Sequence, residues 1–149
     1  MDKNTVLVAG VIIYKESRGK RRWFIVKQDK DDGWEIPKVI VRKVESSVRA
    51  VIRMMGEQGG MTIKVLEEAG RAGGVTTVNG KTFPQRHVFY LAVQKSSEGE
   101  VLGFEEYDWL YYAQAVRKLG SKRERAMIKA ARKELNDWLK KKAKNKQTK

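Results

Sequence analysis

Few side chains in this sequence are equipped for chemistry, and they are unevenly placed. Its 149 residues include no cysteine, which excludes a thiolate nucleophile, a disulfide framework and any cysteine-held metal. The one histidine, His87, stands beside Arg86 and near Lys81 in a segment that reads as a strand. A lone imidazole makes no metal site, so its expected role is structural. Among the carboxylates, Glu57 follows Arg53 by four residues, the spacing of an ion pair on one helix face. Glu45, Glu105 and Glu106 are further acids, the first distant in the chain from the other two. Lys38, Arg42 and Lys43 form either an exposed basic loop or a phosphate-holding one. Trp34 and Trp109 are able to stack on a base, although tryptophans beside strands are more often core residues.

These residues need elements to position them. Thr5 to Tyr14 is rich in β-branched residues and, after the polar stretch Lys15 to Arg22, pairs in expectation with Trp23 to Gln28 as a hairpin. Asp29 to Gly33 reads as a turn leading into Trp34-Glu35-Ile36-Pro37. Ser46 is a suitable N-cap for a helix whose buried stripe is Val48, Val51, Ile52 and Met55, ended by Gly59-Gly60. Met61 to Gly70 reads as a strand. Val75 to Val78 and Arg86 to Val93 read as a hairpin across Asn79-Gly80, and Tyr107 to Leu110 as one more strand. Ser121 to Leu139 carries Met127, Ile128, Ala131, Leu135, Trp138 and Leu139 at helical spacing. The expected fold class is an α+β sandwich built as one domain over residues 1–139, with 140–149 a basic flexible tail.

A chain of this length with 41% apolar residues can bury a real core. The run Val6 to Tyr14 is interrupted by Gly10 and is about half the length of a membrane span, so a strand is expected and no membrane partner. It also lacks a basic leader and a small-residue cleavage site, and with no cysteine the setting expected is a reducing cytoplasm. The formal charge of +14 is concentrated at the C-terminal end: Arg117 to Lys149 holds 14 Lys or Arg against three acids, or +11. Such a field attracts polyanions, nucleic acid above all, and otherwise serves as a solubilising tail.

Val39 to Met61 resembles the Nudix box, G-x5-E-x7-R-E-U-x-E-E-x-G-U with U aliphatic, without insertion or deletion. Glu45, Arg53, Glu57 and Gly60 occupy the expected positions, and Met55 and Met61 the aliphatic ones. Val39 replaces the first glycine, Met54 the glutamate after the arginine, and Gln58 the second glutamate of the pair. Flanking segments are also similar to the family: Ala9 to Ile12, Trp34 to Lys38, Val88 to Ala92, and Glu105 to Trp109. The Trp-Glu-Ile-Pro approach to the box is nearest in character to members that act on dinucleoside polyphosphates.

The resemblance implies an α/β/α sandwich with a mixed sheet, a Nudix helix and a C-terminal helix. It also implies magnesium-dependent cleavage of a nucleoside diphosphate linked to another group, with clustered carboxylates holding the metal. Arg53, Met54, Glu57 and Gln58 would share the helix's polar face, Arg53 orienting the acids. A thioether is a poor magnesium ligand and no base, and Gln58 keeps an oxygen without its charge. Met54 is read either as an extra core residue or as a site position that has lost its acid. Magnesium is therefore expected to bind weakly or not at all. The favoured expectation is impaired hydrolysis with binding of a nucleotide, or of RNA through the basic terminal helix. Catalytic candidates are Glu57 and Arg53, and substrate candidates are Lys38, Arg42, Lys43, Trp34 and Arg86, the box loop having turned cationic. The alternative is a working pyrophosphohydrolase on a dinucleoside polyphosphate or other nucleoside diphosphate derivative, with Glu57, Glu45 and Glu106 as a non-standard ligand set.

Overall fold

Alternation of apolar residues along the strands decides the architecture. In β1 (Val6–Ser17), Ala9, Val11 and Ile13 enter one core while Ile12 and Tyr14 enter another. The same division holds for Phe24 and Val26 against Trp23 and Ile25 in β2 (Lys20–Lys27), and for Val88 and Ala92 against Phe89 and Leu91 in β5 (Lys81–Ser97). A strand with both faces buried needs a layer on each side. Here α1 (Ser47–Glu57) covers one face, and α2 (Tyr112–Lys118) with α3 (Lys122–Gln147) covers the other. The computed structural model describes residues 5–31, 33–97 and 99–147.

The sheet has six strands in the order β4-β5-β1-β2-β6, with β3 (Lys38–Ile40) beside the start of β1. β4 is Met61–Val78 and β6 is Glu106–Leu110. β1 and β5 run parallel and the other pairs antiparallel, so the sheet is mixed. The fold is the expected α+β sandwich with a C-terminal helix.

Several boundaries differ from those the sequence predicts. The polar stretch Lys15 to Arg22 is not a loop: β1 and β2 continue through it and are joined by Arg18 and Gly19, at φ of 55° and 78°. Exposed strand ends need no apolar residues, so the hairpin hides in composition. The strands predicted over Met61 to Gly70 and Val75 to Val78 are one strand, β4. Register shifts near Thr62, Val65 and Glu68 absorb its irregularity, and Asn79-Gly80 makes the predicted tight turn. Gly70 is there for close approach rather than as a breaker, since a Cβ would lie 2.7 Å from Met127 Sδ on α3.

The helix α1 starts where predicted, with Ser46 Oγ accepting from Arg49 N at 3.1 Å. Its buried stripe, however, is Ala50, Val51, Met54 and Met55, while Ile52 is 41% exposed. The short α2 is not predicted by the sequence. α3 runs through Gln147, well past the predicted end at Leu139, so most of the segment expected to be a flexible tail is helical; residues 148–149 lie outside the described ones.

Candidate functional site

The N-cap and first turn of α1 fix Glu45 just before the helix and Arg53 two turns along it. They meet in a forked pair, Arg53 Nη2 to Glu45 Oε1 at 2.7 Å and Arg53 Nε to Glu45 Oε2 at 3.0 Å. Arg42 N donates to the same carboxylate at 3.0 Å. The Arg53 fork, with the Arg42 N–H behind it, draws the Glu45 carboxyl down to about 2 and raises the Arg53 guanidinium. Glu57 reaches Arg53 from the other side at 3.7 Å and is otherwise exposed. The box residues Glu45, Arg53 and Glu57 are thus brought together, as carboxylates around a cation.

Met54 belongs to the core. It is fully buried with Val51 and Met55, in the cluster that also takes in Val39 and Val41 of the box loop. The placement of Met54 on the polar face beside Glu57 is therefore corrected. With Ala50 and Met54 inside, the helix turns its apolar stripe away from Ile52. Val39 pairs with Ala9 through β3, where the box pattern has glycine. Gln58 caps α1, and its carbonyl accepts from Gly103 N at 3.0 Å. The 103 loop sits directly on it, since a Cβ at Gly103 would lie 2.3 Å from Gln58 Cβ.

These residues do not suit magnesium, which demands hard oxygen ligands in near-ideal geometry. Position 54 offers a buried thioether and position 58 a neutral amide, and Glu45 is already satisfied by three donors. Glu106 pairs with Lys27 at 3.4 Å on β6, and the trio Glu45, Glu57 and Glu106 forms no metal-holding group. Among the described residues there is no group of three or more histidines or acids able to hold one.

The predicted phosphate-binding cations part company. Lys38 is engaged, its Nζ 2.5 Å from Glu124 and 3.2 Å from Glu35. Trp34 packs on the α3-side core, with Lys27 and Lys118 ammonium groups 5.5 and 4.4 Å from its ring centroid. Arg42 and Lys43 are exposed, and neither side chain has a hydrogen bond or ion pair to a described residue. Arg86 lies on β5 and is likewise unpaired.

Glu124 is the residue that sequence reasoning misses. It is 6% exposed, accepts from Ile36 N at 2.7 Å, and with Lys38 ties the approach to the box onto the first turn of α3. Its only signal was being an acid in the first turn of a basic helix. Nearby, burial lowers the His87 imidazole, helped by Arg123 and Lys38. Its Nε2 lies 2.7 Å from Gln85 Oε1, and its Nδ1 is buried without a partner among the described residues. The expected structural role fits this placement. Trp109 packs against Phe24 at 4.7 Å between centroids and carries the Lys15 ammonium over its face.

On the outer face of α3, Lys122, Lys129, Lys133, Lys140 and Lys144 recur every seven and four residues and are exposed. At 1.5 Å per residue this 26-residue helix is about 39 Å long. No helix among the described residues is long and apolar enough to cross a membrane.

A mixed sheet between a box helix and a C-terminal helix is the Nudix arrangement, and the comparison with solved structures bears this out. The Ap4A hydrolase of C. elegans in a binary complex superposes with a TM-score of 0.68 at 18% identity, over 89% of this chain and 98% of that one. The NUDIX domain of Shewanella oneidensis NrtR, complexed with ADP ribose, gives 0.66 at 14% identity over 90% of each chain. The E. coli dihydroneopterin triphosphate pyrophosphohydrolase gives 0.64 at 15% identity, over 82% of this chain and 91% of that one. No model of a known protein family matches the sequence, and no curated protein does. The chain has the Nudix fold, related to that of pyrophosphohydrolases; at these identities the likeness is one of fold.

Proposed function

We propose that this Nudix-fold protein has lost pyrophosphohydrolase chemistry and binds the phosphates of a nucleotide or of RNA. The observation that carries the reading is the burial of Met54, which removes position 54 from the polar face of α1. Arg53 takes up both nearby carboxylates, Glu45 and Glu57. What the box loop offers a ligand is then cationic, Arg42 and Lys43, and the α3 lysines extend that charge along a second surface. Guanidinium and ammonium groups hold phosphate oxygens directly, with no metal between. The ADP ribose held by the NrtR NUDIX domain and the Ap4A for which the C. elegans hydrolase is named belong to this class of ligand, and the α3 charge favours RNA among its sources.

The test pairs two assays on the natural chain. Hydrolysis is followed with magnesium over a panel of dinucleoside polyphosphates, ADP-ribose and nucleoside triphosphates, and binding to an oligoribonucleotide is followed against salt. No turnover together with strongly salt-sensitive binding is expected. Turnover that Glu57→Gln abolishes would overturn the reading, as would binding that is indifferent to salt.

A further inference from the structure

On the α1 side of the sheet a cleft of about 350 Å3 opens between the first turn of α1 and the β4–β5 hairpin. Its polar residues are Ser47, Arg71, Arg86, His87 and Tyr90, Leu7, Ala72, Gly73 and Val88 complete the lining, and among the described residues no acid lines it. Alternation places Arg86 on the same face as Val88 and Tyr90, away from His87 and Phe89, and Arg71 lies opposite Val88 in the β4–β5 register.

The two arginines are prepared differently. Arg71 is gripped by Glu68 through Nε and Nη2, at 2.8 to 3.1 Å, which fixes its plane and leaves Nη1 unbonded. Arg86 has no hydrogen bond or ion pair to any described residue, so its charge is uncompensated. Arg42, Lys43 and Arg49 stand around the start of α1, whose first turn holds no acid, and Glu45 just before the cap is taken up by the Arg53 fork. Cations at the positive end of a helix dipole repel it and one another, and an anion bound nearby relieves that repulsion.

We propose that this cleft is a phosphate site, with Arg86 as its main donor, Arg71 as a pre-oriented second donor, and the Ser47 and Tyr90 hydroxyls as neutral ones. The proposal rests on the phosphate-binding reading above but not on the loss of hydrolysis. A planar guanidinium presents paired N–H groups to two phosphate oxygens, which an ammonium does not. The phosphoryl group comes from a free nucleotide or from an RNA backbone.

The experiment titrates the ¹⁵N-labelled natural chain, Arg86→Gln and Arg86→Lys with inorganic pyrophosphate, ADP and an unstructured oligouridylate. Shifts are expected at the amides of Ser47, Arg71 to Gly73 and Arg86 to Tyr90. Arg86→Gln weakens binding by roughly tenfold or more, and Arg86→Lys falls between. Arg86 is exposed and unpaired, so an unchanged melting temperature separates lost binding from lost folding. Saturation by pyrophosphate and ADP assigns a free nucleotide as the source, and shifts with the oligouridylate alone assign the RNA backbone; both support the site. No shift at these amides with any of the three probes, or unaltered binding by Arg86→Gln, overturns it. If α3 lysine variants abolish binding while Arg86→Gln does not, the cleft falls and the polyanion reading stands. Turnover by the natural chain would overturn the loss of hydrolysis and leave the cleft in place.

Discussion

Introducing the missing acid, Met54→Glu, tests whether position 54 is closed to solvent. The Met54 side chain is fully buried among apolar residues. Its replacement forfeits about 2 kcal/mol of burial. A glutamate there stays folded only by remaining protonated, which at pH 7 costs about 3.7 kcal/mol for a group whose unfolded pKa is near 4.3. Together these reach about 5–6 kcal/mol, comparable with the whole stability of many domains. The sign follows from proton counting. The folded variant keeps a proton that the unfolded chain releases above pH 4.3, so its deficit grows as pH rises, by about 1.4 kcal/mol per unit, until the raised folded pKa is passed. Urea unfolding of the natural chain, Met54→Glu and Met54→Gln at pH 5 and pH 7 measures this. The glutamine variant should be destabilised equally at both pH values and the glutamate variant far more at pH 7. A loss below about 1 kcal/mol without a pH slope would refute the closed core, because the carboxylate would then have turned out to water.

Three further outcomes are expected. Glu45 has its folded pKa drawn to about 2, below its ordinary 4.5; it therefore stabilises the fold above pH 4.5, a contribution lost as pH falls toward 2. Urea midpoints from pH 6 to pH 2 should show Glu45→Gln with a flatter acid limb than the natural chain. Glu124→Ala strands the Ile36 N–H and leaves Lys38 with Glu35 and the Ile36 carbonyl, a loss of about 2–3 kcal/mol. In calorimetry that is a fall in Tm of about 5–10 °C. Replacing Lys129, Lys133 and Lys140 by glutamine should lower the slope of log K against log salt for single-stranded RNA by about 2.

What the sequence reveals of this fold is what local chemistry encodes. The Ser46 cap, the Asn79-Gly80 turn and the apolar stripe of α3 each act within a few residues, and each stands where the pattern predicts. What it hides depends on contacts far along the chain. Gly70 reads as an interruption because Met127, the residue it makes room for, is on another element. The phase of α1 is misjudged because Ala50 is small and Met54 occupies an acid's place in the box, so Ile52 looks like the better core residue. Glu124 is lost in a run of charge, although 88 positions separate it from its partner Ile36. The register of the box, by contrast, was fully legible, and with it the grouping of Glu45, Arg53 and Glu57.

The two altered box positions are not equivalent, and repairing them singly should show it. Gln58 is the C-cap of α1, partly exposed, and Gln58→Glu restores a carboxylate at a modest cost of about 0.3–1 kcal/mol from the negative helix end. That adds one acid beside Glu57, but Glu45 stays committed to Arg53 and position 54 stays buried. A pair of acids facing an Arg53 guanidinium is a poor cage for a hard dication that needs several oxygens. Gln58→Glu should accordingly show no magnesium-dependent rise in Tm at millimolar metal, where a real site would stabilise in proportion to the logarithm of its occupancy. It should also remain without turnover on the nucleotide panel. A clear metal-dependent rise, with hydrolysis following it, would mean that the burial of Met54 is incidental and that a single charge stands between this helix and catalysis.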